Sequence, residues 1–344
     1  MMNAFPKSLA ALVICFLSLQ SPIFAAQSNE KSDTPVTAGS GNDLYNQIYD
    51  NLLNNSLALR NPKAKQAWAK KWQNPGPLRN SQETTAAINN MVASLNEKYT
   101  AYLDPKQKQA LDKRWQAIQP VTMNSVDSQI LYIKLSHFQN EKIVNSMATC
   151  LLTAKKYGYA VLLDLRDNPG GNFQSGLAIA SQMIPTGLLV KTKKRVDGHI
   201  VNSSIVLAEN AQVEESSDKY PDLPFHAQVQ PRTALVLPGE TPIVALVNER
   251  TASAAELLAG ALKFSGRATL VGVKTFGKGV GMSNVNIAEN QILQTTSFEF
   301  FPAGKNINGI GVSPQVTVPN GSNGDSQFYE AVQMLKKAIK EKSI

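Results

Sequence analysis

"AVLLDLRDNPGGNF", residues Ala160 to Phe173, decides the fold. Ala160 to Leu165 is an apolar run of strand length, and Asn168-Pro169-Gly170-Gly171 is a turn whose glycines permit positive φ. Beyond it, Phe173, Leu177, Ala180 and Ile184 fall on one face of a helix. A buried strand therefore runs into a tight turn and then into an amphipathic helix.

The same alternation extends outward. "ILYIKL" (130–135), "IVALV" (243–247) and "ATLVGV" (268–273) are further apolar runs of strand length, separated by helical stretches at 140–156, 173–184 and 254–264. This pattern predicts an α/β domain whose sheet is covered on both faces. "QTTSFEFF" (294–301) adds an alternating strand, and "FYEAVQMLKKAIKEK" closes the chain with an amphipathic helix. Upstream, helical signals cover Leu44–Leu59 and Lys63–Trp72, and Ser81 is a candidate N-cap before Ile88, Met91, Val92 and Leu95. A helical layer is expected to about residue 118.

The first residues carry Lys7, an apolar run from about Leu9 to Leu19, and small residues at Ala25 and Ala26. The run is shorter than the roughly 20 residues of a membrane span, so a cleaved secretory signal is expected, with an uncleaved anchor as the alternative. Cys15 lacks the preceding small residue of a lipoprotein signal. The expected division is a signal peptide at 1–26, a disordered polar leader at 27–42, the helical region at 43–118 and the α/β core at 119–344. Within the core, the acidic, Pro-bounded segment from Ala208 to Pro224 suggests an inserted loop at about 201–241.

At 344 residues with 43% hydrophobic content the chain can bury a sizeable core. Its formal net charge is +8, of which the signal segment supplies one. The basic stretches "KAKQAWAKKW" and "KTKKRVDGH" are short and interspersed, no nucleic-acid motif accompanies them, and a nucleic-acid partner is not expected. Without the signal, Cys150 is the one cysteine, so stability must come from packing rather than an internal disulfide.

Three stretches could carry chemistry. In "LDLRDNPGGN" the N–H groups of a strand-to-helix turn point at open space near a helix N-terminus, which makes Gly171 a candidate oxyanion donor. A plain βα turn is the alternative. In "NERTASAAELLAGAL" (248–262), Ser253 opens a helix, where it suits an N-cap or a nucleophile with the Ala254 amide as a second donor. In "VGVKTFGKGVGMS" (271–283), Lys278 lies between glycines just after an apolar strand. A lysine can act as general base when burial keeps it neutral, and Ser–Lys pairs are a variant of the serine nucleophile plan. His137, His199 and His226 lack Asp, Glu or Cys at metal-ligand spacing and read as structural or solvated, although His137 and His199 could line a cleft.

Together these stretches resemble the carboxy-terminal processing proteases, also called tail-specific proteases, serine peptidases with a Ser–Lys pair on a crotonase-like or ClpP-like α/β core. "SLNEKYTAYLDP" (94–105), "VLLDLRDNPGGN" (161–172), "VNERTASAAELLAGAL" (247–262) with "LVGVKTFGKG" (270–279), and "FFPAGKNINGIGVSPQVTV" (300–318) carry the likeness. The resemblance implies an exported serine endopeptidase, periplasmic or extracellular, with Ser253 as nucleophile, Lys278 as general base, and the amides of Gly171 and Ala254 as the oxyanion hole. It implies a polypeptide substrate and no cofactor or metal.

Three departures qualify the resemblance. The family usually places a PDZ domain before the first core strand, whereas about 25 residues separate Pro105 from Ile130, fewer than an independent domain needs. An adaptor protein could take its place. The family's orienting glutamine, four residues after the lysine, is Met282, whose thioether cannot donate a hydrogen bond. Ser283 or Asn284 are the polar residues beside it. Third, the insertion before the nucleophile strand is longer. These departures motivate an alternative class, a catalytically impaired binding or scaffold protein on the peptidase fold. A coenzyme A-dependent enzyme of the crotonase architecture is a third reading, opposed by the export signal. The N-terminal helices could also pair two subunits.

Overall fold

The computed structural model describes residues 40–139, 142–209, 211–218, 226–231, 237–288, 291–321 and 324–342. The expected signal peptide, and the leader up to residue 39, lie outside them. Among the described residues no helix is long and apolar enough to cross a membrane.

Helices α1 (Gly41–Asn55), α2 (Pro62–Trp72) and α3 (Ser81–Ala93) form the expected N-terminal layer, followed by strand β1 (Ala101–Leu103) and helix α4 (Pro105–Gln116). Their caps are local: Ser40 and Asp43 make a capping box for α1, Asn61 caps α2, and Asn80 rather than Ser81 caps α3. The core alternates as the sequence predicts. It runs β2 (Val121–Ser125), β3 (Ile130–Leu135), α5 (Lys142–Tyr157), β4 (Ala160–Asp164) and α6 (Phe173–Met183). After β5 (Gly187–Val196), β6 (His199–Leu207), β7 (Ala211–Asp218) and β8 (His226–Pro231) come β9 (Ile243–Val247), α7 (Ala254–Phe264) and β10 (Thr269–Gly272). The chain closes with β11 (Val280–Ala288), β12 (Gln291–Pro302), β13 (Val316–Thr317) and α8 (Ser326–Lys342). The stretch between Pro105 and Ile130 is thus filled by α4 and β2.

One sheet has the order β13-β10-β9-β4-β3-β2, parallel except for the β2–β3 pair. Its central strands β4 and β9 are buried on both faces, and the period-2 alternation assigns each side chain to a layer. Leu131, Ile133, Val161, Leu163, Ala245 and Val247 pack in the cluster that includes α5, α6 and α7. Ile130, Leu162, Val244 and Leu246 pack with Ala331, Val332 and Leu335 of α8. The second sheet is antiparallel, in the order β1-β12-β5-β6-β7-β8 with β11 also on β12.

The second sheet corrects one expectation. The segment about 201–241, expected as a loop, contributes β6, β7 and β8. Strands β6 and β7 pair residue by residue from Val201↔Asp218 to Leu207↔Gln212. Glu214 and Glu215 lie on β7, on opposite faces and both half-buried, and pairing with β6 and β8 makes this polar segment a strand. The leader is likewise shorter than expected, because α1 begins at Gly41.

The helical layer packs as its own cluster, Tyr45, Ile48, Leu52, Ile88 and Met91 meeting Ile287 of β11 and Leu293 of β12. Arg195 of β5 is almost wholly buried and donates to the carbonyls of Leu53 (2.9 Å) and Ser56 (3.0 Å). The guanidinium there satisfies the Leu53 carbonyl in the last turn of α1, shares the Ser56 carbonyl with the Leu59 N–H (3.2 Å), and complements the helix dipole.

Candidate active site

Strands β4 and β9 are parallel neighbours in register, Asp164 beside Leu246, so the turns that leave them meet. Buried polar groups hold the two turns together. Asn168 donates its side-chain N–H to the Leu135 carbonyl (2.8 Å), accepts the Gly170 N–H on Oδ1 (2.9 Å), and accepts the Ala252 N–H on its carbonyl (2.9 Å). The Thr251 hydroxyl donates to the Leu165 carbonyl (2.9 Å) and accepts the Asn248 N–H (3.0 Å). Asn168 and Thr251 are wholly buried, so each of these bonds also relieves a desolvation cost.

Gly170 and Gly171 adopt φ of 92° and 143°. A Cβ on Gly170 would stand 2.7 Å from the Ala252 carbonyl oxygen and 2.8 Å from both the Ser253 Cβ and the Ala254 nitrogen. The glycine is therefore required for close approach of the first turn to the second. Phe138 pins the other side, its N–H on the Gly170 carbonyl (2.9 Å) and its carbonyl on the Asn172 N–H (2.7 Å). The amides of Gly171 and Ala254 donate to no acceptor among the described residues.

Ser253 sits at the N-cap of α7 with φ 57° and ψ −120°, a conformation that costs a non-glycine residue about 1–3 kcal/mol. Glu256, one turn on, holds it there. Its carboxylate, with no exposure to solvent, accepts four donors: the Ser253 N–H (2.9 Å) and Lys278 N–H (2.7 Å) on Oε2, and the Thr275 hydroxyl (2.6 Å) and Gly277 N–H (2.6 Å) on Oε1. Val312 closes the arrangement by donating its N–H to the Thr275 hydroxyl (2.7 Å). The segment around Ile307 to Val312 backs the Lys278 loop, with the Gly309 N–H on the Gly277 carbonyl (2.9 Å).

Lys278 is half-buried, and its Nζ lies 4.1 Å from the centroid of the Tyr99 ring. Burial lowers its pKa below the ordinary lysine range; Glu97 and Glu256 oppose that shift and the Lys98 ammonium adds to it. The Tyr99 turn is itself fixed to the core. Glu97 Oε2 accepts the Tyr99 N–H (3.1 Å), the Thr100 hydroxyl (2.8 Å) and the Thr296 hydroxyl of β12 (2.5 Å).

Residues 129–318, more than half of the chain, match peptidase family S41. The chain belongs to that family. Its S41 relatives include the carboxyl-terminal-processing protease of Picosynechococcus sp., 32% identical over 213 residues that cover 59% of this chain and 44% of the relative. The carboxy-terminal-processing protease of Bartonella bacilliformis is 28% identical over 200 residues, 56% of this chain and 39% of that one. The matched segment thus spans less than half the length of either relative. The fold is that of the photosystem II D1 C-terminal processing protease (TM-score 0.61, 19% identity, 86% of this chain and 97% of that one). A lipoprotein from Streptococcus agalactiae has it too (TM-score 0.64, 14% identity, 88% and 98%).

Within this S41 core the turns bring together Ser253, Ala254, Gly170 and Gly171, and Glu256 ties Lys278 to them. Met282 lies on β11, half-buried, opposite Thr296 at a shift in register after Gly281. The hydroxyl of neighbouring Ser283 is engaged with that of Ser297 (2.6 Å), and Asn284 is exposed. His137 is buried, its Nδ1 accepting the Gln139 N–H (3.1 Å), so Nε2 carries the proton facing the Ile118 carbonyl (3.3 Å). Among the described residues no group of His, Cys, Asp or Glu is placed to hold a metal ion. Sequence reasoning missed Glu256 and Tyr99. The Ser-x-x-Glu spacing of a capping box was visible for Glu256, but the fourfold use of its carboxylate depends on a loop about 20 residues away in sequence.

Proposed function

We propose that the chain is an exported serine endopeptidase that cleaves polypeptides through an acyl-enzyme at Ser253, with Lys278 as general base. Neutral Lys278 takes the Ser253 Oγ proton as Oγ attacks the scissile carbonyl. The C–O bond forms, the carbonyl π electrons move to oxygen, and the oxyanion settles on the N–H groups of Gly171 and Ala254. Collapse expels the amine, which takes the proton from Lys278, and water then hydrolyses the ester by the same route. The observation that carries this reading is Glu256, whose carboxylate links the strained turn of Ser253 to the loop of Lys278. Phe276 and Ile310 leave apolar side chains exposed, 48% and 54%, on the loops that flank the site, which suits a polypeptide substrate. Residues 1–26 supply the export signal, and an adaptor protein stands in for a substrate-capturing domain.

The test is hydrolysis of an unfolded protein by chain lacking residues 1–26. The account expects cleavage that disappears in Ser253→Ala and Lys278→Ala. The second reading, a binding protein on the same fold, is motivated by Met282 and by the short stretch between Pro105 and Ile130 where the family usually carries a PDZ domain. It expects no cleavage, and partner capture that survives Ser253→Ala unchanged.

A further inference from the structure

A lysine that serves as base must meet two demands. It must be neutral before the reaction, and its ammonium must be stabilised once it has taken the proton. A carboxylate at Nζ would meet the second demand and violate the first, because it favours the charged form at rest. Neither of the two carboxylates that favour charged Lys278 through space accepts a hydrogen bond from its Nζ among the described residues. Glu97 serves the Tyr99 N–H, Thr100 and Thr296, and Glu256 serves its own four donors. Among the described residues, Nζ of Lys278 has no hydrogen-bond acceptor, and what lies against it is the face of Tyr99, centroid at 4.1 Å.

An aromatic face is graded in the way the reaction needs. Its quadrupole attracts a cation and is nearly indifferent to an amine, at about 0.5–1 kcal/mol in exposed sites and about 2 when desolvated. We propose that Tyr99 is a third catalytic residue, whose ring face receives the ammonium as Lys278 takes the Ser253 proton. This rests on the reading of Lys278 as the base. It gives the N-terminal helical region a chemical role, because the turn after α3 carries the ring into the S41 core. Lys98 sits on the same turn, its Nζ 4.8 Å from the Phe276 ring and 5.4 Å from the Tyr99 ring, and its positive charge opposes protonation of Lys278. Burial, with Glu97 and Glu256, raises the Tyr99 hydroxyl above the ordinary phenol range, and Tyr99→Phe, which cannot ionise, serves as the reference at alkaline pH.

The experiment uses wild type, Tyr99→Phe, Tyr99→Leu, and phenylalanines bearing one to three ring fluorines at position 99. The readouts are phosphonylation of the Ser253 Oγ by a fluorophosphonate with loss of fluoride, and kcat and KM on a peptide, followed to the alkaline plateau where Lys278 is neutral in every variant. Tyr99→Phe is expected within about twofold of wild type. Tyr99→Leu keeps an apolar wall and loses the face, so its plateau rate is expected to fall about tenfold in kcat with KM little changed. The fluorine series keeps the shape while draining the face, and the logarithm of the rate is expected to fall with each fluorine. It decides the matter even where Tyr99→Leu fails to fold. A flat fluorine series, or a Tyr99→Leu plateau equal to that of Tyr99→Phe, overturns the proposal while leaving the Ser–Lys reading intact. Absence of wild-type labelling at Ser253 overturns that reading, and this proposal with it.

Discussion

Ser253 and Lys278 donate their backbone N–H groups to the same oxygen, Oε2 of Glu256, at 2.9 and 2.7 Å. They are twenty-five positions apart in the chain, with helix α7 and strand β10 between them, yet a single buried carboxylate fixes both segments. Placement of the two side chains is therefore set by backbone hydrogen bonds, which leaves the side chains themselves available for chemistry.

Glu256→Gln keeps the shape and replaces one acceptor oxygen with an NH2 group. Two of the four donors then face a donor in a site without water. The expected cost is about 3 kcal/mol in urea unfolding. Fluorophosphonate labelling of Ser253 in the folded fraction is expected to slow by about a hundredfold or more, because the 253 turn and the 278 loop lose their common anchor.

Gly170→Ala places a Cβ inside van der Waals contact of three atoms of the Ser253 turn and retains φ near 92°. Acylation is expected to fall by about a hundredfold to a thousandfold as the Gly171 and Ala254 amides move off their target. Gly266→Ala is the control: its φ is also positive, 71°, but nothing lies within 4 Å of the added Cβ. That variant is expected to lose about 1 kcal/mol of stability in thermal melts and no activity.

Asp325 bridges the end of β4 to the start of α8. Arg166 donates to both of its oxygens (2.6 and 2.8 Å), and the Arg166 guanidinium holds the Asp325 pKa below the usual carboxylate range. A carboxylate with a depressed folded-state pKa stabilises the fold above its unfolded value, near 4, and that stability is lost as pH falls through the folded value. Asp325→Asn retains an acceptor for the Phe328 N–H, now accepted by Asp325 Oδ1 at 3.0 Å. It is expected to be less stable by about 1 kcal/mol at pH 7, a modest figure because the side chain is 44% exposed. The difference should begin to shrink near pH 4 and close as pH falls through the lower folded value, and unfolding curves at pH 7 and at a series of pH values below 4 check it.

The α/β core was legible because its central strands are buried on both faces and so read as unbroken apolar runs of strand length. "IVALV" became β9 residue for residue, and "AVLLDL" became β4, which ends one residue earlier at Asp164. The segment 201–241 departs from the expected loop because β7 is a polar strand, made a strand by its pairing with β6 and β8 rather than by a hydrophobic period. Ser253, Lys278, Gly171 and Ala254 were nominated from glycine turns and helix starts, which are local signals. Tyr99 had no such signal. Its approach to Lys278 follows from Glu97 bonding to Thr296, nearly 200 residues further along the chain.

The central claim is that Lys278 is the base that activates Ser253. The most direct measurement is the rate of fluorophosphonate labelling from mildly acidic to alkaline pH in wild type, Ser253→Ala, Lys278→Ala and Met282→Gln. Burial lowers the Lys278 pKa, so its neutral, proton-accepting form appears at a lower pH than for an ordinary lysine. The account predicts labelling that requires both Ser253 and Lys278 and rises with pH, with a midpoint below the ordinary lysine value of about 10.4. Labelling that persists in Lys278→Ala with an unchanged pH profile would contradict it. So would a wild type that is never labelled while Met282→Gln is, which marks a silenced peptidase kept for binding.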